Sequence, residues 1–340
     1  MKYTGNEILS LRSLEIGYVS GKTKKVLLPP LFCRALEGEL IAVIGKNGIG
    51  KSTLLKTITG LLPVVSGDLF IDGKKIKEYS RKQLAAMVGY ISTEILKVSN
   101  MTVFDLVAQG RFPHTNWFGS IDTINLNAIL KALLRTGMTD FSGRQLNELS
   151  DGERQRAMIA MVLAQETRLI IMDEPTAFLD IKNKYEIIHL LKELSRKERK
   201  TIIYSTHDFN NAVSQADKIW LILENELIEG APEDIMIMGA FSNLFNSKVI
   251  SFNENDGTYT ISNELKGNIS FAGTSKNDYW TRKALTRAGY NVMESDSLPR
   301  IETISFSPHG WKFKNKDIVA EFNSLYDLVG WLRQNEDLIF

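Results

Sequence analysis

Residues Gly45 to Ser52 read Gly-Lys-Asn-Gly-Ile-Gly-Lys-Ser and fit the spacing G-x-x-x-x-G-K-[ST]. The apolar run Leu40 to Ile44 precedes them and reads as a buried parallel strand, while Thr53 to Ile58 reads as a helix. Strand, glycine loop and helix in that order commit this part of the chain to an α/β core. Glycines let successive backbone N–H groups turn inward around a polyphosphate, and the helix N-terminus adds positive partial charge. In such a loop Gly45, Asn47, Gly48, Gly50 and Thr53 form the cradle. Lys51 reaches the β- and γ-phosphates, and Ser52 holds Mg²⁺. A bound nucleoside triphosphate is therefore expected.

With 340 residues the chain is long enough for a large core and two domains. The formal net charge of +1 implies no global pull toward nucleic acid or anionic lipid. A single cysteine, Cys33, excludes an internal disulfide and reads as a small buried hydrophobe. Residues 1–6 lack an apolar secretory core, and no run approaches the roughly 18 apolar residues of a membrane helix. The expected place is the cytosol, with membrane contact only through a partner.

Apolar and polar residues alternate from Ile8 to Tyr18, as in a half-buried strand. Val26 to Phe32 reads as another strand, interrupted by Pro29 and Pro30. Ser66 to Gly73 reads as a hairpin strand, and Arg81 to Val88 as a short helix. Helical spacing returns at Thr102 to Gln109, at Ile121 to Thr136 and from Ser150 to Leu163. No strand intervenes between about residues 100 and 165, which predicts a helical lobe. After that, the buried strands Leu169–Met172, Thr201–Tyr204 and Lys218–Ile222 alternate with helices, as in a doubly wound parallel sheet. Past about residue 246, short alternating segments and two helical patterns, Asp278 to Ala288 and Ser324 to Arg333, predict a small α+β domain over 247–340. Trp280, Trp311 and Trp331 are expected in its core, and His309 is expected to be solvated.

Two further stretches carry chemistry. Leu169 to Met172 ends in Asp173 and Glu174, where a strand would deliver Asp173 to Mg²⁺ and Glu174 to a water beside the γ-phosphate. Ser150, followed by Glu153, has the form of a helix capping box, and it opens the helix that leads to that acidic strand.

Taken together, these residues resemble the ATP-binding subunit of ABC transporters over about residues 7–245. The stretch Leu149, Ser150, Asp151, Gly152, Glu153 is similar to that family's Leu-Ser-Gly-Gly-Gln signature, with Asp151 in place of a glycine and Glu153 in place of the glutamine. The resemblance implies a P-loop NTPase cassette: a RecA-like parallel core, an antiparallel β subdomain and the helical lobe. It also implies a homodimer in which the signature of one subunit caps the γ-phosphate held by the other, with ATP and Mg²⁺ bound. Tyr18 would stack on adenine, Asp180 would sit in the loop at the dimer seam, and His207 would contact the γ-phosphate. Glu174, His207 and Lys51 would be catalytic. At the position of the family's metal-binding loop glutamine stands Thr93, with Glu94 next to it. Glu94, longer and anionic, is expected to join Ser52 and Asp173 at the metal. The fragment Met101 to Pro113 is similar to importers of iron–siderophore complexes, haem and vitamin B12. It implies integral membrane permease partners and a place on the inner face of the cell membrane. A soluble ATPase acting on ribosomes or DNA is the competing reading, opposed by the single cassette, the absence of sustained heptads and the neutral charge. For residues 247–340, a regulatory ligand-binding module and a dimer-stabilising module both stay open.

Overall fold

The computed structural model describes residues 5–21, 23–93, 100–115, 121–244, 250–253, 258–261, 265–272, 276–294, 303–307, 310–315 and 318–336. The chain divides into two compact units, Met1–Asn246 with Glu254–Thr258, and Ser247–Asn253 with Tyr259–Phe340.

The first unit opens with β1 (Glu7–Glu15), β2 (Gly17–Ser20), β3 (Thr23–Val26), β4 (Leu31–Leu36), β5 (Leu40–Gly45) and α1 (Lys51–Ile58). Then come β6 (Ser66–Ile71), β7 (Lys74–Lys75), α2 (Arg81–Met87), β8 (Val88–Ile91), α3 (Val103–Gln109), α4 (Thr123–Arg135) and α5 (Asp151–Ala164). The remainder is β9 (Leu169–Met172), α6 (Ile181–Glu198), β10 (Thr201–Ser205), α7 (Phe209–Gln215), β11 (Lys218–Ile222), β12 (Leu227–Gly230) and α8 (Pro232–Ile237). Six strands form one sheet in the order β12-β11-β5-β10-β9-β8. It is parallel from β11 to β8, with β12 antiparallel at one edge. Continuous apolar runs explain this layer, because β5, β9 and β10 are buried along their whole length, as strands covered on both faces must be. A second, antiparallel sheet runs β4-β1-β6-β7, and β2 pairs with β3 as a ribbon. Leu9, Leu11, Leu69 and Ile71 of that sheet share a core with Val43, Ile171 and Trp220 of the first. Each large apolar side chain so buried contributes about 1.5–3 kcal/mol.

The expected helical lobe is present as α3, α4 and α5, with no strand between them among the described residues. Its centre is polar. Arg111 is 2% exposed. Its Nε donates to Asn125 Oδ1 at 2.8 Å, and its Nη1 donates to the Ala164 carbonyl at 2.5 Å and to Glu166 at 2.7 Å. One guanidinium thereby joins the end of α3 to α4 and to the end of α5.

The second unit contains β13 (Ile250–Asn253), β14 (Thr258–Ile261), β15 (Gly267–Ala272), α9 (Lys276–Arg287), β16 (Tyr290–Glu294), β17 (Thr303–Ser307), β18 (Gly310–Lys314), β19 (Val319–Phe322) and α10 (Leu325–Gln334). Its five-stranded sheet runs β16-β15-β17-β18-β19, with β15 parallel to both neighbours and β17, β18 and β19 antiparallel. Ile269, Phe271, Leu285, Ile304, Phe313 and Leu328 fill the core, and Trp311 and Trp331 pack against it. Trp280 does not join them. It is 59% exposed and meets Tyr279 edge-on. Helix α9 buries Thr281, Ala284, Leu285 and Ala288, a stripe at i, i+3, i+4 and i+7 that turns Trp280 outward. His309 lies outside the described residues.

Candidate nucleotide site

The parallel sheet gathers the predicted groups at one edge. Gly45 ends β5, Asp173 follows β9, Thr93 follows β8 and His207 follows β10. All leave the carboxyl ends of parallel strands, where open α/β sheets bind ligands.

The loop between β5 and α1 must have glycine at specific places. A Cβ on Gly45 would lie 2.8 Å from the Ile222 carbonyl oxygen, and Gly50 has φ +118°, a left-handed backbone. Helix α1 starts on Gly50 with no side-chain cap, so the first N–H groups of its opening turn are left for a ligand. Lys51 is 6% exposed, and its ammonium donates to the carbonyls of Gly45 at 2.7 Å and Lys46 at 3.1 Å. Burial lowers its pKa, while the charges of Glu174 and Asp173 work against that shift. A buried cation held by carbonyls of its own loop is suited to an anion. Ser52, Asn47 and Gly48 are exposed around it, and Thr53 is buried. Tyr18, on the β2–β3 ribbon, is 53% exposed, and its hydroxyl lies 3.4 Å from Thr53 Oγ1. An aromatic face is therefore open beside the loop.

Asp173 is 4% exposed, and its Oδ1 accepts from Ser205 Oγ at 2.6 Å. Ser205 Oγ in turn accepts from the Glu174 N–H at 2.9 Å. One hydroxyl thus sets the positions of both acids. Ser205 closes β10, one residue past the strand expected over Thr201–Tyr204. Glu174 has φ +50°, a left-handed backbone that costs a non-glycine residue about 1–3 kcal/mol. Its Oε1 lies 2.5 Å from His207 Nε2, which donates to it. Glu174 and His207 are therefore in direct contact.

Leu149 to Glu153 does not bond with the phosphate loop among the described residues. Leu149 is buried, and Ser150 caps α5. Ser150 N–H and Oγ–H both donate to Glu153 Oε2 at 2.8 Å, while Ser150 Oγ accepts from Glu153 N–H at 3.3 Å. Asp151 pairs with Arg154 at 2.8 Å. Gly152 is buried where a Cβ would lie 2.7 Å from Asn183 Oδ1. Asn183 belongs to the start of α6, which Asp180 caps, so the signature turn and Asp180 share one packed corner. Beside it, Phe178 and Ile181 are 79% and 76% exposed. A narrow cleft lined by Thr93, Asp151, Arg154, Gln155 and Glu174 places Thr93 near the Glu174 carboxylate. Glu94 lies outside the described residues.

The residues present suit a triphosphate with a divalent cation. Asp173 is a buried carboxylate whose Oδ1 accepts from the Ser205 hydroxyl. Mg²⁺ is typically held by one or two carboxylates plus phosphates and water.

Comparisons with known proteins agree. The family described as ABC transporter matches residues 33–177, and the family described as iron ABC transporter C-terminal domain matches residues 266–333. The ferric enterobactin transport ATP-binding protein FepC of Escherichia coli K12 is 38% identical over 201 residues, 59% of this chain and 74% of that protein. The iron(3+)-hydroxamate import ATP-binding protein FhuC of Bacillus subtilis 168 is 34% identical over 238 residues, 70% of this chain and 87% of that protein. Among solved structures, cbiO1 of Clostridium perfringens, part of the transporter complex cbiONQ, aligns with TM-score 0.60 at 29% identity, over 69% of this chain and 93% of that one. The dimeric cassette MJ0796 aligns with TM-score 0.57 at 26% identity, over 66% and 98%. An uncapped phosphate loop, a buried acid at the next strand but one and the likeness to whole cassettes lead to one conclusion: this chain belongs to the family of ABC transporter ATP-binding subunits, ATPases that power transport.

Proposed function

We propose that this chain energises an importer of iron–siderophore-type chelates, the substrate group that also reads as haem- or cobalamin-like. The names of its relatives and the C-terminal match to an iron-transporter domain support that class. Two copies would enclose two ATP molecules, each phosphate loop facing the partner's Ser150 and Gly152. The exposed Phe178 and Ile181 beside Asp180 support a seam there. Integral permease subunits would dock on the helical lobe, where Phe112, Ile124 and Leu134 are 65%, 74% and 72% exposed. No described helix is long and apolar enough to cross a membrane, so the permease would tether the subunit to the cytoplasmic face.

Within this reading Lys51 offsets charge on the β- and γ-phosphates, and Tyr18 stacks on adenine. Glu174 orients the attacking water and takes its proton, and His207 holds Glu174 and the γ-phosphate in register. Ser52 and Asp173 would hold Mg²⁺, which supplies neutralisation of phosphate charge. The geometry that carries the proposal is the chain Asp173–Ser205–Glu174–His207, which presents a carboxylate beside the loop of Lys51. A Glu174→Gln variant should bind ATP and dimerise, while hydrolysis falls about 10²–10⁴-fold. Turnover equal to the wild type would overturn the assignment. The substrate class is tested by reconstituting the subunit with its permease and comparing uptake of a ferric siderophore, haem and cobalamin.

A further inference from the structure

The start of α5 is already engaged by a carboxylate of its own helix. Ser150 has two protons to offer, one on nitrogen and one on oxygen, and both go to Glu153 Oε2 at 2.8 Å. A serine hydroxyl carries a single proton. To donate it to the partner's γ-phosphate, Ser150 must release Glu153. Arg154 is committed to Asp151 and to the carbonyls of Leu146 and Leu149, so the cation acting on the Glu153 charge is Arg144, through space and without a hydrogen bond to it. A capping carboxylate and a γ-phosphate at one helix start also repel each other.

We infer that Glu153 is an internal competitor for Ser150, a positioning residue whose negative charge weakens ATP-driven closure of the two copies. The inference rests on the sandwich reading above. A neutral glutamine there keeps an oxygen acceptor for the Ser150 N–H and removes the repulsion. Asp151 differs in kind, since its charge is already paired with Arg154.

The test uses the full chain with Glu174→Gln to trap ATP, alone and combined with Glu153→Gln. ATP-dependent dimerisation is followed by analytical ultracentrifugation, and thermal melts are recorded in parallel. The double variant should reach half-dimer at roughly a tenfold lower protein concentration. In the Glu174-intact background, Glu153→Gln should lower KM for ATP by a similar factor. Equal or weaker dimerisation in the double variant overturns the inference. So does a fall in melting temperature without tighter dimerisation, which would make Glu153 a cap and nothing more. If Glu174→Gln alone stays monomeric with saturating ATP at the highest concentrations, the sandwich reading itself fails.

Discussion

Two helix starts in this molecule, those of α1 and α5, differ in what satisfies them. From α2 to α7, six helices in a row begin on a side-chain cap: Ser80, Thr102, Asp122, Ser150, Asp180 and Asp208. Helix α1 begins on a left-handed glycine with no cap. Capping is worth about 1 kcal/mol per helix, so its omission at α1 is a local cost tolerated where a ligand is to supply the acceptor. At α5 the same orphan donors are already satisfied from within. The first start is open for an anion, and the second must be opened.

The sharpest way to break this contrast is at α1. Lys51→Ala should lower ATP affinity and hydrolysis together, by about 10²–10³-fold, in nucleotide titrations and steady-state assays. Retained activity would mean that the uncapped loop is not the phosphate site. Ser205→Ala comes next. It removes the donor to Asp173 and the acceptor for the Glu174 N–H, each worth about 1–2 kcal/mol, so kcat should fall about 10–100-fold with little change in ATP affinity. Ser80→Ala is the control for capping alone. It dismantles the Ser80–Gln83 box on α2 and should cost about 1 kcal/mol in denaturant unfolding while the ATPase rate holds.

The smallest effect is in acid. The Ser150 N–H and hydroxyl hold the Glu153 carboxyl below its usual range. A depressed folded pKa adds stability that is complete above the unfolded value, near ~4.3, and is lost as pH falls through the folded one. Glu153→Gln should therefore show a shallower decline in melting temperature than the wild type as pH falls below about 4.3.

Local patterns carried much of this from sequence. The loop at Gly45–Ser52, the acids Asp173 and Glu174 and the histidine at 207 each stand at a strand end that apolar runs announce. What stayed hidden depends on distant partners. Ser205 gains its role only because β10 lies beside β9 in the sheet, which no local spacing shows. Arg111 read as part of a loop motif, yet its guanidinium is bonded to residues 14 and 53 positions away. In the second unit, β13, β16, β18 and β19 are not legible in the sequence because short strands lack a clear period. Trp280 was assigned to the core by residue type, when the stripe of its helix had already turned it outward.

Arg111 also has a mechanical consequence. A charge sealed among three helix segments is costly to strand, about 3–5 kcal/mol if a partner is removed, so α3, α4 and α5 resist sliding past one another. A push on Phe112 or Ile124 from outside is then carried by the whole three-helix block as a stiff lever. Its far arm is the α5 start, so, if a permease docks there as proposed, a thrust on that face would be passed along α5 toward Ser150.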